Sequence, residues 1–197
     1  GSKSVAIGTE ALRDQNPASD LDSLNTAIGH QAGLLVTTGT QNTIIGGLAG
    51  DALTVGERNT ALGYSALSAE DTGGHNTGIG YRALSQLNYD GNGYNTALGS
   101  DAGRKVSTGV QNTIIGALAG DALTTGSDNV VIGYGAMTTD DAGGRNVAVG
   151  KGALESQNGG DANVFNIGIG YHAGNSMTSG TLNTIIGGNA GDALTTG

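Results

Sequence analysis

The chain has 197 residues, of which 38 are Gly and one is Pro; there are six Tyr, one Phe, no Trp and no Cys, and the formal net charge is −9. The lack of cysteine excludes disulfide and thiol chemistry, and eight scattered Lys and Arg with no basic run argue against a nucleic-acid partner. Glycine at about one residue in five opposes long helices, yet Ile, Leu, Val and Ala are too plentiful for a disordered linker.

In chain order, Gly1-Ser2 reads as an expression scar and 3–197 as a single repeat domain, a fragment of a longer fibre. The first unit opens with "SVAIG" at 4. It is followed by "NTAIG" at 25, "NTIIG" at 42, "NTALG" at 59, "NTGIG" at 76 and "NTALG" at 95. The series continues with "NTIIG" at 112, "NVVIG" at 129, "NVAVG" at 146, "NIGIG" at 166 and "NTIIG" at 183. Most steps are 17 residues, with longer ones of 19, 20 and 21. No apolar run approaches the roughly 18 residues of a membrane span, so this segment is not expected to insert.

Three positions of the unit are nearly fixed. The first is Asn in ten of eleven units, as at Asn25, Asn42 and Asn112. The fifth is always Gly, as at Gly29, Gly46 and Gly116, and the eighth always Ala, as at Ala32, Ala49 and Ala119. The units also cycle in four kinds. "NTIIGGLAGDALT" at 42 returns as "NTIIGALAGDALT" at 112 and "NTIIGGNAGDALT" at 183, which are 70 and 71 residues apart.

A period of 17 is too short for a helical repeat of about 34 residues and suits one coil of a parallel β-solenoid, with strands stacked about 4.8 Å apart. Each coil is expected to hold two short strands of about five residues and two turns. In that frame the Gly ends a strand where there is no room for a Cβ. The Ala points into a thin interior, and the Asn side chains stack as an amide ladder. Positions two and four face one way and position three the other. Units such as "NVVIG" are apolar on both faces, and strands of that kind are buried on both. A second copy of the chain is the simplest cover.

"SVAIGTEA", "NTAIGHQA" and "NVAVGKGA" resemble the head repeats of YadA-like trimeric autotransporter adhesins, and similar arrays occur in phage tail-fibre-like proteins. The resemblance implies a left-handed parallel β-roll, a homotrimer with these strands near a threefold axis, and display outside the cell, on a cell surface or virion. The 17-residue period departs from the family's usual period, nearer fourteen, and Thr often replaces Val at position two.

No catalytic constellation is present, so no enzyme is expected. His30, His75 and His172 have no metal-ligand spacing, and "GGLAGD" lacks the Lys-Ser/Thr of a phosphate loop. The long units carry "NYDGNGY" at 88–94 and "NGGDANVF" at 158–165. Asn88, Tyr89, Asp90, Tyr94, Asp161 and Phe165 are therefore the candidate ligand-binding loop residues, for a host-surface protein or glycan. Asn88, Asp90, Asn92 and Asp161 have the oxygen chemistry of Ca²⁺ ligands, but they match no full calcium signature, and no cofactor is expected. Tyr64, Tyr81, Tyr134 and Tyr171 share position six and are expected to shield a turn. Asp51, Asp121 and Asp192 are expected to be solvated turn acids or caps. The reading is an adhesive or structural fibre segment; the rivals are an ice-binding solenoid using its Thr ladders and a spacer with no ligand.

Overall fold

The computed structural model describes residues 3–16, 22–160 and 163–196. It is an all-β parallel solenoid. Eleven three-residue strands stack in chain order into one parallel sheet: β1 Val5–Ile7, β2 Thr26–Ile28, β3 Thr43–Ile45, β4 Thr60–Leu62, β5 Thr77–Ile79, β6 Thr96–Leu98, β7 Thr113–Ile115, β8 Val130–Ile132, β9 Val147–Val149, β10 Ile167–Ile169 and β11 Thr184–Ile186. The register never slips. Thr26 pairs with Thr43, Thr43 with Thr60, and the insertions of the long units leave the alignment intact, as Thr77 with Thr96 shows.

The Asn column is a buried ladder. Asn42 N donates to Asn25 Oδ1 at 2.9 Å, and Asn59 N donates to Asn42 Oδ1 at 2.9 Å. In ordinary coils the other end of the side chain closes its own coil: Asn42 Nδ2 donates to Gly56 O and Asn112 Nδ2 to Gly126 O, both at 2.9 Å. In the long coils Asn76 Nδ2 donates instead to Gly74 O, and Asn146 Nδ2 is buried without a partner among the described residues. Asn42 and Asn112 are 1 % and 0 % exposed. A buried amide that leaves neither end unpaired stabilises; one left half-paired would cost about 1–3 kcal/mol.

The fixed glycine has two causes. Gly116 has φ +127°, a conformation closed to L side chains, and a Cβ there would lie 2.7 Å from the carbonyl oxygen of Gly133. The coils approach each other backbone to backbone at this corner. Ala32, Ala49 and Ala119 are each 0 % exposed, pointing into the interior with position three of the strand, as at Ile44, Ala61 and Ile114.

One expectation fails. Among the described residues each coil has one strand of three residues, not two of about five. The opposite wall is a stack of turns. Ala49 N donates to Gly46 O and Leu53 N to Gly50 O, and adjacent coils are joined by bonds such as Gly50 N to Ala66 O at 2.9 Å. Left-handed backbone at positions seven, nine and seventeen curls the chain. It is adopted even by Leu48, Leu67 and Arg58, with φ 56°, 50° and 57°. Each such residue costs about 1–2 kcal/mol, which the inter-coil hydrogen bonds must offset.

The four-coil cycle is a packing cycle. Leu67, Leu84, Met137 and Leu154 fill position nine in two successive coils of each block, and Gly takes the place in the next two. A Cβ on Gly168 would stand 2.7 Å from Leu154 Cγ, and one on Gly103 would stand 2.8 Å from Ile114 Cδ1 and 3.1 Å from Leu84 Cδ2. A large side chain in one coil occupies the gap above a glycine in its neighbour. The duplicated unit is therefore four coils, because four coils complete the interlock.

Gly116→Ala is expected to cost about 3 kcal/mol or more, from strain and clash together. Gly47→Ala is the control: its Cβ would meet Tyr64 at an ordinary 3.5 Å, and Ala117 already holds the equivalent place. Chemical denaturation of the two variants should separate them clearly.

Candidate functional site

Because position three points inward, positions two and four point out. The outward face of the sheet carries two ranks. One runs Thr26, Thr43, Thr60, Thr77, Thr96, Thr113, Val130, Val147, Ile167 and Thr184. The second has Ile, Leu or Val on every strand, and Ile7, Leu62, Leu98, Ile169 and Ile186 are 57 %, 42 %, 46 %, 37 % and 65 % exposed. Ten steps of about 4.8 Å and a width near 10 Å give a strip on the order of 500 Å². One of the two ranks is mostly Thr, so the apolar part is nearer the lower end of the roughly 300–600 Å² of the largest apolar patch on a typical monomer, a kind of patch that is often functional.

The inserts of the long coils lie on the preceding coil. Gly74 and Asn92 form a parallel bridge, as do Gly144 and Asn163. Asn88 N donates to Ser107 O at 2.8 Å. The Asp90 carboxylate accepts from Thr72 Oγ1 at 3.0 Å, and Asn92 Nδ2 donates to the Tyr94 hydroxyl at 3.3 Å. The Asp90 and Asn92 side chains thus take separate partners; Asp161 lies outside the described residues. Tyr89, Tyr94 and Phe165 are 38 %, 55 % and 45 % exposed, so they are surface groups and do not close the core. Tyr94 packs on His75, ring centroids 5.0 Å apart, and the Arg145 guanidinium lies 5.5 Å from the Phe165 ring centre.

At position six, Tyr64, Tyr81, Tyr134 and Tyr171 are between 48 % and 58 % exposed. Tyr64 and Tyr81 stack at 5.9 Å. Asp121 lies 3.6 Å from Arg104, and burial raises the Asp51 carboxyl above its usual range, so neither is a freely solvated acid.

Two residues with strongly perturbed chemistry escaped the sequence reading. Position twelve is a core column holding Val36, Leu53, Leu87, Val106, Leu123 and Met177, all 2 % exposed or less. Glu70 and Asp140 stand in the same column, each 0 % exposed. Both belong to the coil that precedes a long one. In ordinary coils the amides of Gly39 and Gly109 donate to Thr54 and Thr124 of the next coil. Under an insert the acid takes that place: Glu70 Oε1 accepts from Gly73 N at 2.7 Å, and Asp140 Oδ1 from Gly143 N at 2.8 Å. Burial pushes Glu70 up to about 7 and Asp140 up to about 6, against the opposing pull of those backbone donors. The signal available in the sequence was an acid in a column that is apolar apart from Gln15 and Gln157, readable only once the columns are known.

No protein-family model, curated protein or solved structure matches this chain.

The buried acids give a pH prediction. The folded chain holds protons on Glu70 and Asp140 that the unfolded chain releases in the ordinary carboxyl range. Their contribution to stability therefore falls as pH rises from about 4 toward 7, and is level above that. Thermal unfolding should show Tm several degrees higher at pH 5 than at pH 8. The double variant Glu70→Gln with Asp140→Asn should remove most of that difference and be the more stable protein at pH 8.

Proposed function

We propose that the chain is a non-enzymatic segment of a surface fibre, a stiff rod whose copies associate as a homotrimer through the outward sheet face. The observation that carries this is the two-rank strip, aliphatic at position four on all eleven strands and uncovered in a single chain. A strip only two residues wide has too little area for a broad flat interface. Three such strips around one axis enclose a narrow core, as in a closed cyclic assembly. The resemblance to adhesin head repeats points the same way. The hydrogen-bonded ladder supplies stiffness, and the inserts recur along the rod. Weak contacts to a host-surface protein or glycan would then act together, since linked sites raise the effective concentration of each. Such a fibre works outside the cell, on a cell surface or a virion.

A second reading rests on one observation. Six successive Thr, from Thr26 to Thr113, stand in unbroken register on the outward face, a regular array of the sort that orders surface water. The rank ends at Val130, Val147 and Ile167, and its neighbour is aliphatic throughout, which favours burial against another copy.

Light scattering coupled to size exclusion distinguishes the readings. The fibre reading predicts a mass three times that of the 19.3 kDa chain. It also predicts a shift to monomer in the variant Ile115→Lys with Ile132→Lys, with the β circular-dichroism spectrum kept. A monomeric wild type that shows thermal hysteresis in ice growth would favour the second reading.

A further inference from the structure

The four-coil cycle lets one part of the chain serve as a control for another. The coils that open at Asn59, Asn76 and Asn95 correspond to those that open at Asn129, Asn146 and Asn166. In the first set the corner after the fixed glycine is filled. Tyr64 stacks on Tyr81, the Arg82 guanidinium lies 5.6 Å from the Tyr81 ring centre, and Arg82 Nε is 3.6 Å from Asp101. In the second set the same places hold Tyr134-Gly135, Lys151-Gly152 and Tyr171-His172. Ser65 and Arg82 have become glycine, and Tyr81 has become lysine.

The result is a cleft of about 200 Å³ lined by Tyr134, Gly135, Lys151, Gly152, Glu155 and His172. Its floor is glycine backbone. Tyr134 is one wall; its ring is not covered by a neighbouring tyrosine as Tyr64 is, because the next coil offers Lys151. His172 is the other wall, backed by Tyr171 in a stack at 4.1 Å, and Lys151 Nζ lies 5.5 Å from the Tyr171 ring centre. Glu155 and His172 reach into the space a side chain at 152 would take. A Cβ there would stand 2.9 Å from Glu155 Oε2 and 3.1 Å from His172 Nε2. Asn175 Nδ2 donates to Glu155 Oε2 at 2.7 Å and fixes the carboxylate.

The chemistry narrows the ligand. A phosphate would meet the Glu155 carboxylate, and a metal cation would meet Lys151. The volume is below the roughly 300–1,000 Å³ of pockets for drug-sized molecules, so one ring is the scale. A ligand with an apolar ring face for Tyr134 and hydroxyls around its edge matches both charged groups at once: hydroxyl oxygens accept from Lys151, and hydroxyl protons go to Glu155. We infer that this cleft binds a single pyranose ring, the terminal sugar of a glycan. The inference goes beyond the fibre reading, because a spacer fibre needs no cleft and the cleft lies on the corner beyond the strand face.

The test is an NMR titration of the intact chain with the methyl glycosides of glucose, galactose, mannose and N-acetylglucosamine into the millimolar range. At least one should shift Tyr134, Lys151 and His172 saturably while Tyr64 and Tyr81 stay still. Gly152→Asn fills the cleft with a residue that position seven already carries at Asn189, also at positive φ. It should weaken binding about tenfold or more, and Tyr134→Ala should do the same, so a folding defect in one leaves the other to decide. Ile115→Lys with Ile132→Lys should bind as the wild type does, which separates the cleft from chain association. No saturable shift with any of the four glycosides would overturn the inference. So would shifts shared equally by Tyr64 and Tyr81, or binding undiminished in both cleft variants.

Discussion

The side chains of the asparagine column tie neighbouring coils together. From Asn25 to Asn166 each oxygen accepts the backbone amide of the next asparagine, and in ordinary coils, as at Asn42, the amide returns to a glycine carbonyl in the turn that closes its own coil. In the long coils Asn76 turns to Gly74 of the preceding coil, and Asn146 Nδ2 has no partner among the described residues. A slip of the sheet by one residue would strand a column of buried amides, so the polar ladder fixes the register more firmly than apolar contact does. The glycine column does the same for distance. With Gly116 set to meet Gly133 by backbone alone, no coil can be wider at that corner than its neighbours.

A thin interior follows. The cross-section admits Ala at position eight and only a few larger groups, as Ile44 with Leu53 or Leu84 with Leu87, so a large side chain at position nine in one coil is matched by glycine there in another. This is why the repeat of the chain is four coils and not one. It also explains where the remaining large aliphatic side chains are: position four cannot enter the core, and its Ile, Leu and Val stand outside on every strand. The proposed association of chains draws on this surplus. Apolar groups that the single chain has no room to bury are available to a second and third copy.

The period, the asparagine ladder, the fixed glycine and the buried alanine were legible in the sequence. Each rests on one steric or hydrogen-bonding cause repeated at one position. The alternation of position three against two and four was legible, but which of them points inward was not, since several units are apolar at both. The second strand was not there to be found, because left-handed backbone at Leu67 or Arg58 leaves no mark in composition; it is imposed by turns that only the stacked coil sustains. Glu70 and Asp140 drew no notice beside their acidic neighbours Asp71 and Asp141, and only the column of Leu53, Leu87 and Leu123 shows that they are buried. The loop residues Asn88, Asp90 and Asn92 had the right elements for a cation; in the structure the Asp90 side chain meets Thr72 and that of Asn92 meets Tyr94, pairings that the sequence does not announce. The cleft at Gly135 and Gly152 was invisible for another reason. It is a difference between two aligned corners, and neither corner is unusual alone.

The ladder is the claim on which the rest depends, and hydrogen exchange of the asparagine side-chain amides tests it directly. The side-chain Nδ2 protons of Asn42, Asn59, Asn112 and Asn129, resolved by NMR, are predicted to exchange as slowly as the strand amides beside them. Those of the exposed Asn158 should exchange at the rate of a free amide. Rapid exchange of all the asparagine side chains, with the strand amides still protected, would contradict the account and leave the register without its cause.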